Sequence, residues 1–186
     1  MRKDIVEKIV IENVKVELVK KPNSYLIRIS ANGKQNEREF KLGKKIIMSI
    51  ENSTLVISAK AGTKKEKRLI ETVKAHIKNM IRGVIQPWVY KLEICYSHFP
   101  ISVSIDEKAR QIVIKNFSGE KVPRYVQLLE GVNVAIKGNI IEVSSIDKEL
   151  AGRQAALIES ATKIKEKDRR IFQDGIWIIE KAGKPV

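Results

Sequence analysis

The order of its apolar patterns constrains the fold of this chain more than any other feature. Two short strand-like alternations, at residues 46–50 and 54–58, precede apolar residues that recur at steps of three and four over residues 63–84. The same order returns at residues 132–136 and 140–143, which flank a Gly138-Asn139 hairpin turn, followed by a helical pattern over residues 147–166. A chain that repeats one order of elements predicts two copies of one structural unit.

Further strand patterns precede each repeated segment. They cover residues 14–19, 25–30 and 37–42 in the first half, and residues 89–96, 101–105, 111–115 and 125–129 in the second. Each helical pattern has one apolar face, which needs a sheet to cover it. The sequence therefore predicts an α+β fold of two tandem repeated domains, each a mostly antiparallel β-sheet packed against one main helix. We expect the first domain to span residues 1–84 and the second residues 85–186, with residues 1–13 a partly helical or irregular lead-in.

The charge of the chain favours a polyanionic partner. The net charge is +14, from 36 Lys and Arg against 22 Asp and Glu. Residues 1–84 have 20 cations against 9 carboxylates, a net +11, and the remaining residues have 16 against 13, a net +3. Nucleic acids and anionic membranes attract such chains. No apolar run reaches the roughly 20 residues of a membrane span. The absence of a signal-peptide pattern and the single cysteine predict a cytoplasmic protein.

A short basic stretch late in the chain is the candidate binding site. Five cations within eight residues repel one another unless a polyanion neutralises them, and nearby aromatic and amide groups suit RNA. We expect Lys163 and Lys165 on the last turns of the second helix, and a turn at Asp174-Gly175. The alternative is a solvated run of charges that caps the helix. The predicted site residues are Lys163, Lys165, Lys167, Arg169, Arg170, Gln173 and Trp177.

The first helix also has cations on its polar side, which we expect to be solvated. They are Lys64, Lys67, Arg68, Lys74, Lys78 and Arg82.

Catalytic signatures are weak. The two histidines, His76 and His98, lie in different halves, and no His, Cys or carboxylate group has zinc-site spacing. No nucleotide-binding or hydrolase motif occurs. A basic nuclease that uses Asp168 and Asp174 with a metal remains an alternative, but it has no evident third ligand. The sequence predicts a protein that is not an enzyme, with no cofactor, metal or small-molecule substrate.

Several motifs resemble the ribosomal protein L6 family, in its archaeal and eukaryotic form. They are Asn-Met-Ile-Arg-Gly-Val at residues 79–84, Tyr-Ser-His-Phe-Pro-Ile at 96–101, Asn-Phe-Ser-Gly-Glu-Lys at 116–121, Ala-Ala-Leu-Ile-Glu-Ser-Ala-Thr-Lys at 155–163, and the basic stretch at 167–181. The resemblance is strong over residues 75–181 and extends to residues 1–74 mainly in layout.

The resemblance implies a structural constituent of the large ribosomal subunit. Its expected partners are large-subunit rRNA, near the sarcin–ricin loop and the translational GTPase site, and neighbouring large-subunit proteins. The family's basic RNA-binding motif falls on the seven site residues named above. A free-standing RNA chaperone or regulator with the same surface remains open. The +11 charge of residues 1–84 leaves open a contact between the first domain and rRNA or a neighbouring protein.

Overall fold

A computed structural model describes residues 3–43, 45–164, 168 and 170–186. The chain divides into two compact units, Met1–Gln86 and Pro87–Val186. In the described part of the chain, no helix is long and apolar enough to cross a membrane.

Unit 1 has two antiparallel sheets and one long helix. Its described elements are β1 (Lys3–Val10), β2 (Lys15–Lys21), β3 (Ser24–Ala31), β4 (Lys34–Lys41), β5 (Ile46–Glu51), β6 (Thr54–Gly62) and α1 (Lys64–Ile85). The strand orders are β1-β6-β5 and β2-β3-β4. The apolar face of α1 packs against strands of both sheets, so one core serves the whole unit.

The start of α1 follows from its sequence. Thr63 is the N-cap, and its hydroxyl oxygen accepts a hydrogen bond from the backbone N–H of Lys65. Glu66 accepts one from the backbone N–H of Thr63 at 2.8 Å, which completes a capping box. Hydrogen bonds from the side chain and backbone of Thr63 lower the pKa of Glu66 to about 2.

The prediction of an irregular or partly helical lead-in was wrong, because residues 3–10 form β1. The adjacent pair Ile5-Val6 recurs four residues later as Ile9-Val10, a spacing that also fits a helix. In the strand, adjacent residues face opposite sides of the sheet: Ile9 is buried, whereas Val6 and Val10 are exposed. Residues 3–10 form a strand because they pair with β6, which is distant in sequence, and no local pattern predicts that pairing.

Unit 2 repeats this architecture and extends it. Its described elements are β7 (Trp88–Cys95), β8 (Ser102–Asp106), β9 (Gln111–Lys115), β10 (Arg124–Gln127), β11 (Val132–Lys137), β12 (Ile140–Ser145), α2 (Lys148–Ala161), β13 (Gly175–Lys181) and β14 (Lys184–Pro185). The strand orders are β11-β12-β7-β13-β14 and β10-β9-β8.

The two units correspond strand by strand. The order β7-β12-β11 matches β1-β6-β5, the β8-β9-β10 sheet matches β2-β3-β4, and α2 matches α1. This confirms the predicted α+β fold of two tandem repeats. Unit 2 differs by its added strands: β13 pairs with the edge of β7 that is left free by β12. The segment between α2 and β13 contains six of the seven predicted binding residues, and Trp177 lies in β13.

The predicted end of the second helix was wrong. The pattern indicated a helix to residue 166, whereas α2 ends at Ala161 with Thr162 as its C-cap. Thr162 is buried, and its hydroxyl oxygen accepts a hydrogen bond from the backbone N–H of Ile176. This contact with β13 redirects the chain, so Lys163 lies beyond the helix rather than on its last turn.

Candidate nucleic-acid interface

The predicted site residues that the structure describes lie along one short segment of unit 2. Lys163, Arg170 and Gln173 are exposed, and Trp177 is half-buried in β13. The other three predicted residues, Lys165, Lys167 and Arg169, lie outside the described residues. We call residues 163–173 the basic segment.

The beginning of the basic segment is fixed by Thr162. This side chain is 2% exposed, and its hydroxyl donates to the carbonyl oxygen of Glu159 while accepting from Ile176 at 2.9 Å. Both hydrogen-bonding roles of the hydroxyl are therefore used inside the protein. The basic segment starts beside the strand to which it leads.

The end of the basic segment is fixed by Asp174, which is 3% exposed. One carboxylate oxygen accepts hydrogen bonds from the backbone N–H of Ser97 at 2.7 Å and from the Ser97 hydroxyl at 2.9 Å. The other lies 3.3 Å from the backbone nitrogen and 3.2 Å from Nδ1 of His98. We call this arrangement the Asp174 clamp. It joins the basic segment to the loop after β7.

The pKa of Asp174 reflects two opposing effects. Burial acts to raise it, but the hydrogen bonds from Ser97 and His98 favour the ionised carboxylate and lower it below the usual range. The expected turn at Asp174-Gly175 was wrong, because Asp174 turns inward to make the clamp and Gly175 begins β13. Turn statistics for Asp-Gly describe solvated loops, and here tertiary hydrogen bonds take precedence.

Trp177 and Gln173 are linked to each other. The indole Nε1 of Trp177 donates to the carbonyl oxygen of Gln173 at 3.0 Å. The ring lies close to Gly175, where a Cβ atom would be 3.3 Å from it. This contact fixes the backbone of Gln173 and leaves its side chain exposed.

The two carboxylates of the nuclease alternative are both engaged. Asp168 accepts from Arg170 Nη2 at 2.8 Å, and that bond is the main reason for its lowered pKa. Both carboxylate oxygens of Asp174 contact Ser97 or His98 in the clamp. Among the residues that the structure describes, no group of three His, Cys, Asp or Glu side chains could hold a metal ion.

One further loop contacts the basic segment, and a second loop contacts the first. The ring of His98 lies 5.3 Å from that of Phe172, measured between centroids. The side-chain amide of Asn116 donates to the carbonyl oxygen of Pro100 at 3.0 Å. These loops coincide with two of the family motifs, residues 96–101 and 116–121. Sequence reasoning used those motifs only for recognition and missed Thr162, Ser97 and His98 as site-forming residues.

The cations of α1 are not equivalent. Lys74 forms an ion pair with Glu7 at 2.6 Å and is largely covered, so it belongs to the structure of unit 1. In contrast, Lys64, Lys67 and Arg68 are exposed, and no carboxylate of the described residues lies within 4.0 Å of them. The prediction that Lys74 is simply solvated was wrong.

Comparison with known proteins identifies the family. The model of the family "Ribosomal protein L6" matches residues 10–86 and 99–175, one match in each unit. The chain belongs to the ribosomal protein L6 family. The resemblance drawn from the motifs is thereby confirmed, and it extends through the first unit as well.

Relatives in the ribosomal protein L6 family cover most of the chain. A protein of Staphylothermus marinus is 43% identical over 170 residues, which are 91% of this chain and 90% of the relative. One of Desulfurococcus amylolyticus is 38% identical over 96% of this chain and 95% of its own length. One of Methanococcus vannielii is 45% identical over 75% of each. All three are named "Large ribosomal subunit protein uL6". The relatives are ribosomal proteins, which confirms the prediction that the chain is not an enzyme.

Proposed function

We propose that this chain is a structural component of the large ribosomal subunit that binds large-subunit rRNA through the basic segment and Trp177. The relatives' names support the first part. The second part rests on one observation: the basic segment is tied at both ends by buried side chains, Thr162 and Asp174, while its described cations remain exposed.

This arrangement suits phosphate binding for two reasons. The described residues at the two ends of the segment are held in place before binding, so less of the interaction energy is lost to ordering them. Lys163 and Arg170 are exposed, and the Asp168 partner of Arg170 is itself exposed, so a phosphate can replace it. Lys165, Lys167 and Arg169 add charge to the same stretch of sequence.

The family resemblance gives the proposal its location. We place the contact on large-subunit rRNA near the sarcin–ricin loop, beside the translational GTPase site and among neighbouring large-subunit proteins in the cytoplasm. The test of this location is cross-linking of Lys163 and Arg170 within assembled subunits. Cross-links to a distant rRNA region would contradict the location while leaving RNA binding intact.

A salt series tests the binding itself. Binding of the full chain to protein-free large-subunit rRNA should weaken linearly in log[salt]. Lys163→Ala with Arg170→Ala should flatten that slope by about two units, since each phosphate contact contributes roughly 0.9. The matched control is Lys64→Ala with Arg68→Ala, which removes two exposed charges from α1. If the control pair flattens the slope more, the main RNA surface lies on unit 1 and the proposed site is wrong.

Sedimentation separates a built-in subunit component from a free-standing RNA chaperone. A structural component should remain with large subunits through a high-salt wash, whereas a loosely bound regulator should be released. Release at moderate salt would favour the regulator.

A further inference from the structure

An aromatic surface beside the basic segment has no role in phosphate binding. It is formed by the loop between β7 and β8, in which the residue Phe99 is 45% exposed and the His98 side chain is 45% exposed. A neutral aromatic ring contributes nothing to phosphate neutralisation, and its exposure to water is unfavourable. Single exposed apolar residues are common on proteins, so the surroundings of these rings decide their significance.

The surroundings show that the loop is held in place. The buried Asp174 carboxylate accepts hydrogen bonds from both the backbone and the side chain of Ser97, and contacts His98. Asn116 fixes the carbonyl oxygen of Pro100. Contacts therefore hold the loop on either side of Phe99. A binding surface needs side chains that are held in a defined position, and the contacts of this loop hold Phe99 in that way.

Phe99 also rests on a backbone that is shaped to receive it. Gly119 has φ +77°, a conformation that favours glycine, and a Cβ atom there would lie 3.3 Å from the Phe99 ring. The ring thus packs closely on the Gly119 backbone and stays nearly half exposed. The exposed part of the ring leaves room for a planar group to stack on it.

The charges of the segments next to Phe99 favour an anionic partner. The described carboxylates of residues 96–101, 116–121 and 163–174 all have partners: Glu120 is bound by Arg124, Asp168 by Arg170, and Asp174 by the residues of the clamp. Lys121 and Lys163 in these segments, and Lys115 just before residue 116, are exposed and have no carboxylate partner among the described residues. An apolar surface whose neighbouring segments carry unneutralised cations suits an anionic planar ligand better than an ordinary protein surface.

We propose that the loop of residues 96–100 is a base-stacking site that takes one unpaired nucleotide of the bound RNA, with the Phe99 ring as the stacking surface and His98 beside it. The inference rests on the proposed function, because it assigns the RNA's base to this loop and its phosphates to the basic segment. Bases are exposed for stacking only in loops, bulges and ends, so the recognised rRNA element contains an unstacked nucleotide. The Asp174 clamp positions the stacking surface against the phosphate-binding segment.

The experiment compares two RNAs and three variants of the full chain. The RNAs are protein-free large-subunit rRNA and a fully base-paired duplex. Phe99→Leu keeps an apolar side chain over Gly119 but removes the ring. It should weaken binding to rRNA by about 5- to 150-fold, the range for losing one stacked base. Its salt slope, and the affinity of the variant for the duplex, should stay unchanged.

Two variants serve as controls. Tyr125→Leu removes an exposed ring from β10, 58% exposed, and should leave rRNA binding unchanged. Phe99→Tyr keeps the ring and should bind rRNA like the wild type. Circular dichroism checks that each variant is folded. If Phe99→Leu does not fold, ultraviolet cross-linking of the wild-type complex gives the answer, with a cross-link expected between residues 96–100 and an unpaired nucleotide.

The outcomes separate the two proposals. If the wild type fails to bind rRNA in a salt-dependent way, the proposed function is wrong. If the wild type binds but Phe99→Leu binds equally well, only the stacking site is wrong. Equal weakening toward rRNA and duplex, or a cross-link elsewhere only, also overturns the stacking site, since either result shows that Phe99 acts through structure.

Discussion

Thr162 and Asp174 are buried polar residues that hold the two ends of the exposed basic segment in place. Both are almost completely buried, and both use their oxygen atoms on groups that lie at the margins of the basic segment. Burial of a polar group is unfavourable unless hydrogen bonds replace those lost with water. Here the replacement bonds connect elements that are far apart in sequence, so each residue couples the basic segment to the sheet.

Removal of the clamp should destabilise unit 2. We expect Asp174→Ala to lower the free energy of unfolding by about 1–3 kcal/mol, because the Ser97 and His98 donors lose their acceptor. Urea denaturation followed by Trp fluorescence measures this. Asp168→Ala is the matched control, since that carboxylate is exposed and its ion pair with Arg170 should contribute little to stability. Equal effects of the two changes would contradict a special role for Asp174.

The clamp should also make stability depend on pH in a defined direction. The pKa of Asp174 is lowered in the folded protein, so its ionised form stabilises the fold. That contribution is present above the unfolded-state pKa, about 3.9. It is lost as the pH falls through the lower folded-state value. The difference in unfolding free energy between wild type and Asp174→Asn should therefore shrink as pH falls below about 4. A difference that stays constant as the pH falls well below this value would show that the carboxylate charge is unimportant.

At the scale of elements, local patterns predicted what local interactions decide. The apolar spacing and the Thr63–Glu66 capping signal gave α1 almost to the residue, since both act within one turn. Alternation predicted β9 at residues 111–115 and the β11–β12 hairpin, where adjacent strands pair. The first strand and the end of α2 were missed, because they depend on β6 and on Ile176, which are remote in sequence.

The candidate site followed the same division. Composition predicted where the cations lie, because charge density is visible in sequence. The Asp174 clamp could not be predicted from the sequence. An Asp-Gly pair is typical of a local turn, and it does not indicate Ser97 or His98 as partners. The motif at residues 96–101 was the only available clue, and it carried no structural explanation on its own.

The capping box of α1 provides a test at this scale. Thr63→Ala removes the N-cap acceptor and should lower the stability of unit 1 by about 1 kcal/mol. Amide hydrogen exchange can assign the loss to α1 and its neighbouring strands. Thr72→Ala is a suitable control, because Thr72 lies inside α1 and its hydroxyl donates only to the Arg68 carbonyl. A change in exchange that is confined to unit 2 would contradict this assignment.

At the scale of the whole molecule, we propose that the two units are separate folding domains. Unit 2 has a continuous core that includes Leu92, Ile112, Ile141 and Ile158, all within residues 87–186. Residues 87–186 expressed alone should therefore unfold in one cooperative transition. Calorimetry and urea denaturation test this. An unfolded or non-cooperative fragment would show that unit 2 depends on unit 1.

The position of β7 has a consequence for the order in which the protein becomes functional during its own synthesis. β7 is the first strand of unit 2 to leave the ribosome, yet it is the central strand and pairs with β12 and β13, which are made near the end. Pairing between strands so distant in sequence is slow and must wait for the later partner. The Asp174 clamp closes only when β13 joins β7, because Asp174 immediately precedes that strand. The basic segment, the Asp174 clamp and β13 are all made late, so a nascent chain completes the surface that we propose for RNA binding last.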